Sequence, residues 1–257
     1  MISYAQNLED VLLARAFAGR AAGFYIDVGA FDPDVDSVTR YFYDAGWHGI
    51  NVEPVAAQHA LFASARARDI NLNVALGREA GEMVLYDFSP LGVSTVDPAV
   101  AAEMRAREMV GREVRVPVRT LAEICRQYDV RDVDFLKVDV EGFEAEVLAG
   151  HDWDFVRPRI LLIEATRPMS PVPSFKAWEP MLLRRGYHFA WFDGLNRFYV
   201  RREDADLLAH FKVPPNVFDG YALASVASTA HALATNASVR QLLGAVAARV
   251  KRRVLRR

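Results

Sequence analysis

Short apolar runs rich in β-branched residues recur along the chain, "FYIDV", "GINVE", "INLNVAL", "VDFLKVDV" and "RILLIEA", each closed by a polar turn. Between most of them the apolar spacing becomes helical, as in "AAQHALFASAR" and "GFEAEVLAG". Strands apolar on both faces and joined by helices predict a mostly parallel sheet covered on both sides, because a half-exposed strand would alternate apolar and polar positions. "NLEDVLLARAF" predicts an opening helix with Leu8, Val11, Leu12 and Arg15 on one stripe, Asn7 as its N-cap and Asp10 three residues on. "TLAEICRQYDV" carries a capping box, Thr120 with Glu123 at the third helical position, which sets another helix start. Near the end of this pattern "YHFAWF" and "RFYVR" are separated only by "DGLN", so the sheet is expected to finish in an antiparallel hairpin. A smaller hairpin is expected inside "GREAGEMVLYDF".

Composition bears on what such a sheet serves. Of 257 residues, 52% are hydrophobic and 25% charged, enough for a large core and one main domain. Basic and acidic side chains number 31 and 33, for a net charge of -2, so no global field draws nucleic acid, and a small molecule or glycan is the expected partner. The single cysteine, Cys125, excludes an internal disulfide framework and any CxxC zinc spacing, in keeping with a reducing compartment. "MISYAQNLEDVLL" has acids where a signal peptide needs a basic start and an apolar core, and no run approaches the ~20 apolar residues of a membrane span. A cytoplasmic protein is expected.

Candidate chemistry gathers at the strand ends. In a doubly wound sheet, ligands sit beyond the carboxyl ends of the strands, and the first strand-to-helix turn must let them approach the backbone. Gly29 supplies that turn, and Glu53 ends the next strand 24 positions later, about where a carboxylate accepting two ribose hydroxyls belongs. A dinucleotide fits poorly, since "GAFDPD" offers one glycine, a proline and two acids where a pyrophosphate needs free amides. Those acids, with Asp27 before the glycine, suit a cation instead. A nucleoside with positive charge and no phosphate describes S-adenosylmethionine (SAM), with its sulfonium and amino groups.

"SYAQNLEDVLL", "FYIDVGAFDPDVDSVTRYFYDAGWHGINVEP", "VDFLKVDVEGFEAEVLAGHDW", and "NRFYV" followed by "PPNVFD" together resemble the FkbM family of SAM-dependent methyltransferases over roughly residues 3 to 220. The resemblance implies an α/β, class I (Rossmann-like) methyltransferase fold, a seven-stranded mostly parallel sheet with the terminal antiparallel hairpin, and O-methylation, commonly of sugar hydroxyls in bacterial glycans, glycolipids or natural products. Carried over position by position, Asp27, Gly29, Ala30 and Asp32 fall in the first cofactor motif and Glu53 at the ribose acid. Asn73 and Val74 fall where a third strand flanks the adenine. Tyr4 and Gln6 lie in a segment that the resemblance places near the cofactor, where they can close over the site as candidate substrate contacts. One departure is Phe31, where many relatives carry a polar residue.

Methyl transfer to a hydroxyl needs the proton removed or the oxygen acidified. "KVDVEG" places Asp139 and Glu141 at the end of the fourth strand, on one face if the strand persists, and Glu164 ends "ILLIEA". Three carboxylates at adjacent strand ends can hold Mg²⁺, or leave one Asp as the base with Asp139 also beside the cofactor. Alternatively Glu141 favours a helix start and Glu164 pairs with Arg167. Lys137 is expected partly buried against a carboxylate. Ser94, Thr95 and Asn196 are candidate acceptor contacts, each with an ordinary reading as a turn or cap.

The expected domains are a methyltransferase domain, 1–220, and a helical basic tail, 221–257. From Tyr221 onward there is no Asp or Glu, and Val239, Leu242, Leu243, Val246, Val250 and Val254 form a helical stripe ending among Lys251, Arg252, Arg253, Arg256 and Arg257. That tail suits either packing on the domain or another subunit, as in a homo-oligomer, or peripheral contact with an anionic membrane at its inner face. Besides the O-methyltransferase, two other classes remain at this point: a noncatalytic SAM-binding adapter in a glycan-assembly complex, and a nicotinamide oxidoreductase.

Overall fold

The computed structural model describes residues 1–88 and 94–228. In chain order the elements are β1 (Ile2–Ser3), α1 (Glu9–Ala16), β2 (Phe24–Val28), α2 (Arg40–Asp44), β3 (His48–Val52), α3 (Ala56–Ala65), β4 (Ile70–Leu72), β5 (Ala75–Leu76), β6 (Gly81–Asp87), β7 (Ser94–Thr95), α4 (Pro98–Ala106), β8 (Arg112–Arg119), α5 (Leu121–Gln127), β9 (Phe135–Val138), α6 (Glu144–Ala149), β10 (Ile160–Glu164), α7 (Glu179–Arg184), β11 (Tyr187–Phe192), β12 (Asn196–Arg201) and β13 (Ala222–Leu223), with 3-10 turns at Arg202–Phe211 and Val217–Asp219. The main sheet has seven strands in the order β11-β12-β10-β9-β2-β3-β4. β4, β3, β2, β9 and β10 run parallel, and the hairpin β11–β12 joins β10 antiparallel. The expected parallel sheet with an antiparallel finish is therefore present as a mixed sheet.

Both faces are covered, as continuous apolar strands require. Alternate residues sort to the two sides. Ile26, Leu136, Leu161 and Ile163 pack with Leu121, Ile124, Val147 and Leu148 from α5 and α6. Tyr25, Phe135, Ile160 and Leu162 pack with Leu12, Leu13 and Phe42 from α1 and α2. The chain leaves β2 toward β3 and β4, then returns to β9 on the other side of β2, so the strand order reverses between β2 and β9. That reversal opens a crevice at the carboxyl ends of the two strands, where this class of sheet holds ligands.

Four local expectations are corrected. Asn7 does not cap α1: Leu8 occupies the N-cap in a left-handed conformation with φ 63°, and Asn7 gives its backbone N–H to Glu9 instead. "INLNVAL" is not one strand, because β4 belongs to the main sheet and β5 to a second one. The hairpin expected inside "GREAGEMVLYDF" does not form; β6 pairs antiparallel with β8 in a four-stranded sheet ordered β5-β8-β6-β7. That sheet buries Ala75, Leu85, Val116 and Val118, with Val96 just past β7, against Val55 beside the crevice. "KVDVEG" does not stay extended, since β9 stops at Val138 and Glu141 turns back with φ 53°.

The capping box holds as expected, with Thr120 Oγ1 accepting from the Glu123 amide and the Glu123 carboxylate accepting from the Thr120 amide. β13 pairs in parallel with β1, so the described chain past Gly220 is tied back to the N-terminal segment. The tail stripe from Val239 to Val254, with its basic end, lies outside the described residues. Among the described residues no helix is long and apolar enough to cross a membrane.

Candidate active site

A cavity of about 550 Å³ occupies the crevice. One wall comes from the turn after β2, Gly29, Ala30 and Phe31, and from the end of β3, Glu53, Pro54 and Val55. Val74, Ala75 and Leu76 follow β4, Leu85, Ser94 and Val96 come from the second sheet, and Asp139, Val140, Glu141 and Glu164 come from the ends of β9 and β10.

Gly29 is obligatory for a reason inside the fold. It adopts φ 77°, and a Cβ there would stand 1.8 Å from the Asp139 carbonyl oxygen, so no side chain fits between the two strand ends. Beyond it the Phe31 amide donates to Glu53 Oε2 at 2.8 Å, and the Val55 amide donates to Oε1 at 2.7 Å. Glu53 is thus clamped at the rim of the turn by two backbone donors. Burial pushes its carboxyl up to about 7, against the opposing pull of those amides. Each carboxylate oxygen still has a lone pair for a ligand hydroxyl.

Lys137 lies beneath the turn. Its Nζ donates to Gly29 O at 3.0 Å and pairs with Asp27 Oδ1 at 3.2 Å and Asp139 Oδ2 at 3.5 Å. Burial opposes its charge, but the two carboxylates beside it more than compensate and hold it protonated. The expectation for Lys137 is met, and it corrects Asp27. Asp27 is 1% exposed, faces Lys137 and Thr39 under α2, and does not line the cavity; it is a strut for the turn.

Two carboxyls at the other wall are less well satisfied. Glu141 Oε2 and Glu164 Oε2 are both buried without a hydrogen-bond partner, and both residues line the cavity. Burial and then the neighbouring Asp139 push Glu141 up to about 8. The same two causes, joined by Glu141 and Glu144, hold Glu164 well above the usual carboxylate range. Glu144, which the pattern did not single out, accepts the Val140 and Gly142 amides at 3.2 and 3.0 Å and so shapes the loop that presents Glu141. Thr95 Oγ1 donates to the Glu141 carbonyl at 2.8 Å, which pins the same turn.

The remaining expected residues divide plainly. Ala30, Val74, Ser94 and Gln6 line the cavity. Asp32 does not: it caps its own loop by accepting the Asp34 and Val35 amides. Asn73 braces the site from behind, donating to the carbonyls of Glu53 and Pro54. Tyr4 lies away from the cavity against Asp44 and Arg40. Thr95 is buried at its structural bond, and Asn196 at its bond to Glu9. Glu164 has no ion pair with Arg167, which pairs with Glu103. Among the described residues no three Asp, Glu, His or Cys side chains form a metal-holding group, so the set Asp139, Glu141 and Glu164 does not fit the Mg²⁺ expectation. Asp36, Phe143, Thr166, Met169 and Ser170 also line the cavity without having been expected. They sit in loops, where neither period nor strand-end position marks a residue.

A family profile described as the methyltransferase FkbM domain matches residues 27–189, from Asp27 in β2 to Phe189 in β11. The chain belongs to the FkbM methyltransferase family. The matched span of this FkbM chain contains the whole crevice except Gln6 and Leu195. Membership makes it a methyltransferase and sets aside the nicotinamide oxidoreductase. Among curated proteins none matches the chain.

Proposed function

We propose that this FkbM methyltransferase uses SAM and methylates a hydroxyl oxygen of a sugar, in a bacterial glycan, glycolipid or glycosylated natural product, on a class I methyltransferase fold. The observation that carries the reading is one cavity with a clamped acceptor, Glu53, beside the glycine turn, and unpartnered buried carboxyls across from it.

The residues fit the cofactor's parts. Glu53 offers lone pairs to ribose hydroxyls, and Val55, Val74, Ala75 and Leu76 form an apolar strip suited to a purine. Asp139 and Asp36 supply negative charge, and Gln6 a neutral polar contact, for a cationic amino-acid end. When bound, SAM supplies an electrophilic methyl group on a sulfonium. The chain then has to orient the acceptor, keep out water and take one proton. Glu164, with Glu141 beside it, receives the hydroxyl proton, because it lines the cavity, its Oε2 is free of any donor, and burial raises its affinity for a proton. Asp139, held by Lys137, serves the cofactor side.

Calorimetry with SAM tests the cofactor half. Glu53→Ala removes two acceptor bonds and is expected to weaken SAM by ~30-fold or more, on the order of 2–4 kcal/mol. A folded variant with unchanged affinity would refute the assignment. Glycan mass spectrometry of a deletion strain tests the acceptor half, with one lost methyl group expected.

A further inference from the structure

Among the described lining residues there is one cation, Lys137, and it is fully engaged. Its ammonium donates to Gly29 O at 3.0 Å and forms ion pairs with Asp27 Oδ1 at 3.2 Å and Asp139 Oδ2 at 3.5 Å. Against it the lining carries Asp36, Glu53, Asp139, Glu141 and Glu164. Glu164 is 5% exposed, and its Oε2 has no hydrogen-bond partner. Arginines next to lining segments are engaged elsewhere: Arg107 donates to the Met169 carbonyl, Arg167 pairs with Glu103 and Arg112 binds Asp87, and none of the three lines the cavity.

We propose that the sugar ring methylated in this cavity carries no anionic substituent, so that the acceptor is a neutral or amino sugar rather than a uronic acid, a sulfated sugar or a ring bearing its own phosphate. The inference rests on the methyltransferase reading of the site and narrows its substrate class. A polyol satisfies Glu141 and Glu164 in either protonation state, since a hydroxyl donates to a carboxylate and accepts from a carboxyl. An anionic substituent can only accept. Once either glutamate is ionised, it would face like charge in a site whose one cation among the described lining residues, Lys137, is already paired with Asp27 and Asp139, a juxtaposition that costs several kcal/mol.

Incubating the full chain with methyl-labelled SAM and the source cell's released glycans, followed by fragmentation mass spectrometry, locates the labelled ring. Label on a ring free of carboxylate, sulfate and phosphate is expected. Label on a ring that itself carries one of these groups overturns the proposal. No labelled ring at all, with SAM binding intact by calorimetry, overturns the methyl-transfer reading beneath it, which is a different failure. Once the ring is known, its counterpart oxidised to the uronic acid should be methylated with kcat/KM lower by ~100-fold or more, the effect expected of an uncompensated like charge. Equal rates on the two would also overturn it.

Discussion

At the scale of single residues, three carboxylates that look alike in the sequence sit in different electrostatic settings because they have different neighbours. Asp139 is tied to an ammonium, Glu53 to two amides, and Glu164 keeps an oxygen with no donor. Glu164→Gln keeps the shape and removes the proton acceptor. It is expected to lower kcat by ~10²-fold or more while SAM affinity stays within about threefold. Asp139→Asn should show the reverse emphasis, weaker SAM binding with a smaller loss of kcat, because it faces the glycine turn and Lys137. Steady-state kinetics paired with calorimetry separates the two, and a normal kcat in Glu164→Gln would move the base elsewhere. In the active enzyme kcat should climb as pH rises, because burial and Asp139 hold the Glu164 carboxyl well above the usual carboxylate range and push Glu141 up to about 8, and only the ionised form accepts a proton. EDTA should leave the rate unchanged, since the three carboxylates do not form a metal-holding group.

At the scale of elements, the loop from β9 to α6 is built around two consecutive left-handed residues, Glu141 with φ 53° and Gly142 with φ 100°. A glutamate in that conformation costs about 1–2 kcal/mol relative to the right-handed basin. It persists because Thr95 holds its carbonyl and Glu144 holds the flanking amides. Such strain at a cavity wall is typical of a residue placed for chemistry. Glu141→Gly should therefore raise stability by about 1 kcal/mol and depress turnover, because it relieves the turn and removes a buried carboxyl together. Thermal melts and rates on the same preparation would check it. A fall in stability would mean that the Glu141 side chain contributes more packing than its strain costs.

At the scale of the whole molecule, the site shapes the pH dependence of folding. Burial raises Glu9 and Glu141 to about 8, and Glu53 and Glu144 to about 7. For groups raised in the folded state, the stabilisation is fully present below the unfolded carboxyl range near 4.5 and is lost as pH climbs through the folded values. Carboxylates lowered by arginines act oppositely: Asp204 is held down by Arg159 and Arg201, and Asp219 by Arg15, so their contribution disappears in acid. Stability should therefore peak in mildly acidic solution and fall by a few kcal/mol between about pH 5 and 8, lowering the melting temperature by several degrees. Melts across that range at constant ionic strength measure this. A flat profile would show that these glutamates are hydrated in solution. Added SAM should stabilise more at the upper end, because a cation favours the ionised glutamates.

What the sequence determined by itself are features whose physics is local or periodic. Continuous apolar strands announced a sheet covered on both faces, "DGLN" its final hairpin, and Thr120 with Glu123 a helix start. The lone Gly29 and the strand-end Glu53 marked the crevice, because turn sterics and strand ends are legible over a few residues. Tertiary structure decided which carboxylates face the cavity. Asp27 looked like a cofactor group until Lys137, whose Nζ binds Gly29 across 108 positions of chain, also claimed its carboxylate as a strut. Asp139 and Glu141 looked like strand neighbours on one face until the chain turned at Val138. The pairing of β6 with β8, which builds one wall of the cavity, joins segments separated by a helix and so leaves no short-range signal. Burial and long-range pairing set the charge and freedom of each acid, and neither is a property of the residue or its immediate neighbours.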